Sequence, residues 1–386
     1  MYIEDNHASL ASLMTCLELS NCKPNQDKVV ILQWFHFRGA LVGWVMGENI
    51  WTRSTILALD DLGYTYLYTR DWSETAATYR MLPTLVAAIF MDSEEIHKCL
   101  DEPYCVKTSD NPYGIPVWKM FDFMFWAIHN HPLGKQWTIN PEPYGLSAAW
   151  QGGATYFGFS IEPSCNTVPF VPHSERAKRR TAFIMSKYMR FFSPGKDTAW
   201  EVDDFDYAAE ETGIRYISGA KADPANDPPG PMAIPKNLEN LGYLNQQEFL
   251  QTLAQSTILI GVGMPKTSPT PYEALCLGVP FINPILHWDH NNPEDREGWD
   301  SMHGTLKLLD PPYVYNVKRG DRKGFAKAIK SAIENPIDRF VLDRMTLFNV
   351  EERMKEFFAK DWKAEAKNVI AESKLLRPLP QSNIVL

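Results

Sequence analysis

Apolar and polar positions along the chain fall into two series of the same kind. VVILQWF (Val29–Phe35) is an unbroken apolar run of the sort buried on both faces of a parallel sheet. A glycine-containing turn, Arg38–Gly47, follows it. ENIWTRSTILALDDLGY then sets Ile50, Ile56, Leu57, Leu59 and Leu62 at helical spacing, with Gly63 as the stop. TYLYT (Thr65–Thr69) and LVAAIFMD (Leu85–Asp92) read as further strands, and GATYFGFSI (Gly153–Ile161) as the last of this half. Strand, turn, helix and strand in succession predict βαβ units.

The pattern breaks at Pro163–Arg180, first proline-rich and then basic, which predicts a surface linker. It then restarts. TAFIMSKY, RYISGA and TILIGVG are strands, and FDYAAEETG is a helix with a glycine stop. NQQEFLQTLAQS is a helix opened by Asn245, with Glu248 three residues on. The loop KADPANDPPGPMAIPKN holds too many prolines for a regular element. Two amphipathic helical stretches, DRKGFAKAIKSAIEN and Val350–Glu372, close the chain. The reading is an α/β protein of two Rossmann-like domains, 28–170 and 171–360, facing a central cleft, with a C-terminal helix and tail at 361–386. Ligands of such sheets bind at the carboxyl ends of the strands.

Length agrees with two domains, since 386 residues exceed one ordinary domain. With 45% hydrophobic and 22% charged residues the composition is globular. A net charge of −9 disfavours nucleic acid, whose phosphates need a basic face. No apolar run reaches spanning length. The first 28 residues lack the basic and apolar regions of a signal peptide, so a soluble chain is expected. The six cysteines are spread thinly and predict neither a disulfide framework nor a zinc site.

The chemistry concentrates in TSPTPYEALCLGVPFINP, Thr267–Pro284, directly after the TILIGVG strand. Thr270 reads as an N-cap, Pro271 as the first helical residue and Glu273 as the third. A helix start after a strand and the glycine-containing loop around Gly263 suits a diphosphate, and a glutamate there suits the two hydroxyls of a ribose. The same tetrapeptide also reads as a capping box and nothing more.

Asn240–Pro284 as a whole resembles the donor half of two-domain GT-B glycosyltransferases, and more narrowly glycosyltransferase family 18. Gly47–Tyr64, Trp137–Tyr144 with Ala154–Glu162, and Asp310–Val317 resemble further family segments in the same order. The resemblance implies inverting, metal-independent transfer of GlcNAc from UDP-GlcNAc to an N-glycan hydroxyl, with no cofactor. It implies Glu48 as the base that takes the acceptor proton, where the chain alone also offers a first-turn acid facing the helix dipole.

For the UDP-sugar it implies Glu273 on the ribose, Thr270, Pro271 and Gly263 around the phosphates, and Lys187 at the mouth of the donor site. Trp137 and Trp150 are the candidates for stacking on an acceptor sugar, although a large aromatic is more often core. One departure stands out. The family carries a basic residue just after its F-x-N-P strand, and this chain has Ile285-Leu286-His287, so His287 is the candidate there. The D-x-D of Asp204 and Asp206 opens a helix and reads as structural, so no metal is expected. Family members are Golgi enzymes, which implies the Golgi lumen if an anchor is missing from this sequence and the cytoplasm otherwise. Two alternatives remain: a nucleotide-sugar- or carbohydrate-binding protein without turnover, and a UDP-sugar epimerase.

Overall fold

A computed structural model describes residues 2–144, 153–193, 195, 197–227 and 232–376. These fall into two units. The first takes the chain up to Pro143, a short return ending at Ser160, and everything from Asp343 on; the second holds Ile161–Leu342.

In the first unit the chain runs α1 (Tyr2–Glu18), β1 (Val29–Leu32), α2 (Phe35–Leu41), α3 (Gly47–Asp61), β2 (Thr65–Tyr68), α4 (Trp72–Met81), β3 (Val86–Met91) and α5 (Ser93–Asp101). β4 (Met120–Phe123), β5 (Thr138–Asn140) and β6 (Thr155–Tyr156) complete a parallel sheet of order β2-β1-β3-β4-β5-β6. Its centre is aromatic. Trp51 of α3 lies flat on Phe123 of β4, ring centroids 3.7 Å apart, and Phe90 stacks on Phe123 from the next strand. The turn expected at Arg38–Gly47 is shorter: Phe35–Leu41 form α2, residues 42–46 turn, and Asn49 Nδ2 and Thr52 Oγ1 of α3 both donate to the His36 carbonyl.

The second unit begins with α6 (Glu162–Thr167) and α7 (His173–Arg179), where a surface linker was expected. Pro163 sits in the first turn of α6, where its missing N–H costs nothing. α7 is pinned by Arg176, which is buried and donates to the carbonyls of Leu277 (2.6 Å) and Gly278. The order continues β7 (Thr181–Met185), α8 (Val202–Thr212), β8 (Arg215–Ser218), β9 (Leu238–Asn240), α9 (Gln246–Ala254), β10 (Ile258–Gly261), α10 (Thr270–Cys276), β11 (Phe281–His287), β12 (Asp300–Ser301), β13 (Val314–Lys318) and α11 (Arg322–Glu334). Asn245 and Glu248 make the expected reciprocal cap of α9.

Parallel pairing gives the order β9-β8-β7-β10-β11-β13, with short antiparallel β12 beside β11. In chain order that is 3-2-1-4-5-6, the doubly wound dinucleotide-fold order, whose direction of winding reverses between β7 and β10. Trp200 stacked on Phe325 anchors its core.

α12 (Leu347–Ala359) and α13 (Trp362–Leu376) return to the first unit. The boundary at 360 therefore gives way to one at 342. The reason is packing: Phe357 of α12 meets Phe90, Phe121 and Phe157, and Arg353 Nε donates to the Phe157 carbonyl at 2.6 Å. All six cysteines are paired, as Cys16–Cys22, Cys99–Cys105 and Cys165–Cys276. The expectation of no disulfide framework fails: two bridges close between cysteines six residues apart, and the third joins residues 111 apart, which spacing does not reveal. Among the described residues no helix is long and apolar enough to cross a membrane.

Candidate functional site

Ligands of doubly wound sheets bind at the carboxyl ends of the strands where the winding reverses, which here are β7 and β10. Met185 and Gly261 are register partners on the last rung of that pair. Lys187 follows one strand end by two residues and Gly263 follows the other by two. Lys187 is exposed, with its ammonium 5.5 Å from the Tyr188 ring centre.

Gly263 is buried at φ +115°, and a Cβ there would lie 2.0 Å from the Asp197 carbonyl oxygen, so only glycine fits. The loop beyond it is drawn tight. Met302 accepts from Gly263 N through its sulfur at 3.3 Å and from Thr267 N through its carbonyl at 3.0 Å. Thr267 itself takes φ +54°, a strained value for a β-branched residue.

The loop leads into α10, which begins one residue earlier than the sequence suggests. Pro269 is the N-cap, so Thr270 is the first helical residue and makes no cap with its side chain. Its backbone N–H donates to Ser268 Oγ at 3.3 Å, and Ser268 Oγ donates in turn to Thr270 Oγ1 at 3.2 Å. Pro271 is buried in the first turn.

Glu273 is only 3% exposed, and its Oε1 accepts from Ser164 Oγ of α6 at 3.0 Å and from Gln246 Nε2 of α9 at 2.9 Å. Burial pushes its carboxyl up to about 7, against the pull of these two hydrogen bonds. Among the described residues, Oε2 accepts no hydrogen bond.

His287 falls elsewhere. β11 runs on past the end of β10, so His287 lies about four residues, or ~13 Å, beyond the level of Gly261. It is exposed and pairs across to Asp300 of β12. A cation does reach that rung, from a residue the sequence reading passed over: Lys266 Nζ sits 2.8 and 3.0 Å from the two oxygens of Asp300. Its place in the loop between β10 and α10 was the available signal. Ser164 was hidden in the supposed linker, and Gln246 by its ordinary place in the first turn of a helix.

The D-x-D is occupied by the fold. Asp204 accepts from Glu201 N (2.9 Å) and Arg322 Nε (2.8 Å), and Asp206 accepts from Lys236 N (3.0 Å). Among the described residues no group of three or more His, Cys, Asp or Glu side chains is placed to hold a metal ion.

In the first unit, Glu48 is the second residue of α3, half-buried, with Met46 as N-cap. Its charge acts on His36, whose ring Nδ1 lies 3.3 Å from Asn49 Oδ1. Burial lowers the His36 pKa, and Glu48 works against that. Trp137 is corrected. It is 0% exposed, with Nε1 donating to the Trp118 carbonyl at 3.2 Å and its ring against Trp362, so it has no free face for a sugar. Trp150 lies outside the described residues.

A sequence profile of glycosyltransferase family 18 matches residues 128–381. The chain belongs to glycosyltransferase family 18. Among its family 18 relatives, the human alpha-1,6-mannosylglycoprotein 6-beta-N-acetylglucosaminyltransferase A is 22% identical over 245 residues, 60% of this chain and 30% of that protein. The Caenorhabditis elegans alpha-1,6-mannosylglycoprotein 6-beta-N-acetylglucosaminyltransferase is 29% identical over 161 residues, 39% of this chain and 23% of its own. The matched part thus spans less than a third of these relatives' length.

Two solved structures resemble the chain more loosely. AviGT4, a glycosyltransferase involved in avilamycin A biosynthesis, has a TM-score of 0.46 at 13% identity, covering 93% of this chain and 99% of that one. Trehalose-6-phosphate synthase OtsA has 0.43 at 9%, covering 91% and 100%. With two Rossmann-like α/β units, this family 18 chain has the GT-B type of fold.

Proposed function

We propose that the chain is an inverting glycosyltransferase that moves GlcNAc from UDP-GlcNAc to a glycan hydroxyl without a metal. Family membership and the names of the relatives support the reaction class. The observation that carries the donor assignment is that Lys187 and Gly263 each follow a strand end by two residues, just past the Met185–Gly261 rung at the winding reversal.

In this reading Glu48 accepts the acceptor O–H proton while that oxygen bonds to the anomeric carbon. The bond from that carbon to the diphosphate breaks, and UDP leaves. Gly263 and the Thr270–Pro271 turn approach the diphosphate closely, and Lys187 with Lys266 offsets its charge. Glu273 meets the ribose through Oε2, since Oε1 is already taken. His287 stands at the outer edge of the site. Three disulfides favour an oxidising compartment, so we place the working protein in the secretory lumen.

The test is UDP release from UDP-GlcNAc with and without N-glycan acceptors, with the product linkage identified. Acceptor-dependent release is expected. An isomeric sugar or UDP-sugar formed from the donor alone, without acceptor, points to an epimerase instead. A second reading, binding without turnover, is favoured by the Lys266–Asp300 pair, which already neutralises one of the two cations assigned to the diphosphate. It predicts that UDP-GlcNAc raises the melting midpoint while no acceptor yields product. Saturation at about 100 times Kd stabilises by ~2.7 kcal/mol, which a melting curve resolves.

A further inference from the structure

Glu273 is held by residues from two other helices, and one of those helices is covalently tied to its own. Ser164 and Gln246 lie 109 and 27 residues from it in sequence, and both donate to the same oxygen. Cys165 is the neighbour of Ser164 on α6. Cys276 is one turn beyond Glu273 on α10, three residues on and so on the same side of the helix. The Cys165–Cys276 bond therefore runs beside the Ser164–Glu273 hydrogen bond and joins the same two helices.

We propose that Ser164 and Gln246 are positioning residues for Glu273, and that the Cys165–Cys276 disulfide holds Ser164 in place, so that nucleotide-sugar affinity depends on this bond being closed. The proposal rests on the donor-site reading above.

α6 has six residues and cannot fix Ser164 through its own backbone. Arg339 grips its far end, donating to the carbonyls of Cys165 and of Val168, the latter at 2.7 Å. Opening the disulfide thus loosens the side facing α10 without releasing the helix. A dithiol reductant does this by a balanced exchange: the protein S–S bond breaks, two S–H groups form, and the reductant closes to its own disulfide. Both sulfurs belong to buried residues, Cys165 at 5% and Cys276 at 0% exposure, so substitution isolates this bond better than reduction does.

The two hydrogen bonds also favour the ionised form of Glu273, which gives the test a direction. α6, α9 and β11 pack against α10. Their charged or titratable groups are Glu162, Glu248 and His287. Glu248 is turned onto Asn245 N, and none of the three contributes to the shift on Glu273. Removing Ser164 therefore raises the pH at which Glu273 ionises.

The experiment titrates UDP-GlcNAc, whose diphosphate does not change charge near neutrality, into the full chain between pH 6 and 9. Wild type, S164A, S164T, Q246A, C165A/C276A and C16A/C22A are compared, with folding verified by circular dichroism. S164A and Q246A are expected to weaken binding about tenfold at pH 7 and to move the midpoint of its pH dependence upward. S164T restores both, C165A/C276A repeats the Ser164→Ala result, and C16A/C22A matches wild type. If wild type binds and S164A and C165A/C276A keep its Kd and midpoint, the clamp is wrong and the donor site stands. If wild type binds no UDP-GlcNAc, the donor reading and the clamp fall together.

Discussion

Lys266 reaches back to Asp300, its Nζ 2.8 and 3.0 Å from the two carboxylate oxygens, and Asp300 is the cross-strand partner of His287. One positive charge beside the end of β11 therefore comes from the loop before α10, while Lys318 of β13 stands at the register of Ile285. Lys266→Gln is expected to weaken UDP binding about tenfold, the scale of a hydrogen bond to a charged group. His287→Ala should change it less than about twofold. Calorimetric titration of UDP into both variants decides. Equal effects would assign the cation to neither.

Glycine is needed at 263 for two reasons that can be separated. At Gly320, φ is +76° and a Cβ would meet nothing within 4 Å, so Gly320→Ala suffers only the backbone conformation. At Gly263 the same change adds the collision with Asp197 O. Gly263→Ala should cost clearly more than about 1 kcal/mol, and Gly320→Ala about that much. Urea unfolding of the two variants compares them directly. Matching losses would mean that the backbone at Asp197 yields freely.

Asp122 on β4 is fully buried, and burial first, then repulsion from Asp92, pushes its carboxyl up to about 7. Between its ordinary value near 4 and about 7, the folded chain keeps a proton that the unfolded chain has released. Stability from this group is thus present at acid pH and lost as pH rises through that window, on the order of a few kcal/mol. Asp122→Asn, which cannot ionise, should melt higher than wild type at pH 8 and near it at pH 5. A constant difference between the two pH values would contradict the shift.

Phe357→Ala removes a ring, 4% exposed, that touches Phe90, Phe121 and Phe157. A loss of about 3–5 kcal/mol is expected, confined to the first unit. Denaturant unfolding followed by hydrogen exchange should show β3 and β4 opening early while β10 and β11 keep their protection. Equal loss in both units would show that they unfold together.

Glu48→Gln preserves shape and removes the base. Transfer should fall by about 10²–10⁴ while UDP-GlcNAc affinity stays within about twofold. Steady-state rates beside a binding titration separate these effects. An undiminished rate would return Glu48 to the role of a helix-dipole acid.

Much of the second unit is legible in the chain because its signals are local. Asn245 and Glu248 cap α9 as their spacing predicts, and the apolar runs at Thr181, Ile258 and Phe281 become neighbouring strands. What escaped reading depends on distant partners. α7 lies in a basic, proline-flanked stretch that looks solvated until Arg176 meets the carbonyls of Leu277 and Gly278 about a hundred residues on. Trp137 promises a sugar platform by its type, yet Trp362 covers it from the other end of the chain. Within the site, Glu273 could be named from its neighbours in sequence, while Ser164, which holds it, could not.

The return of α12 and α13 has a consequence for synthesis. As the chain leaves the ribosome, Ile161–Leu342 is complete before the first unit has received Phe357 and Trp362. Domains commonly mature in the order they are made, but here the half that starts first must finish last. Until the last helices emerge, the nascent protein carries an open aromatic seam over Phe90 and Phe121.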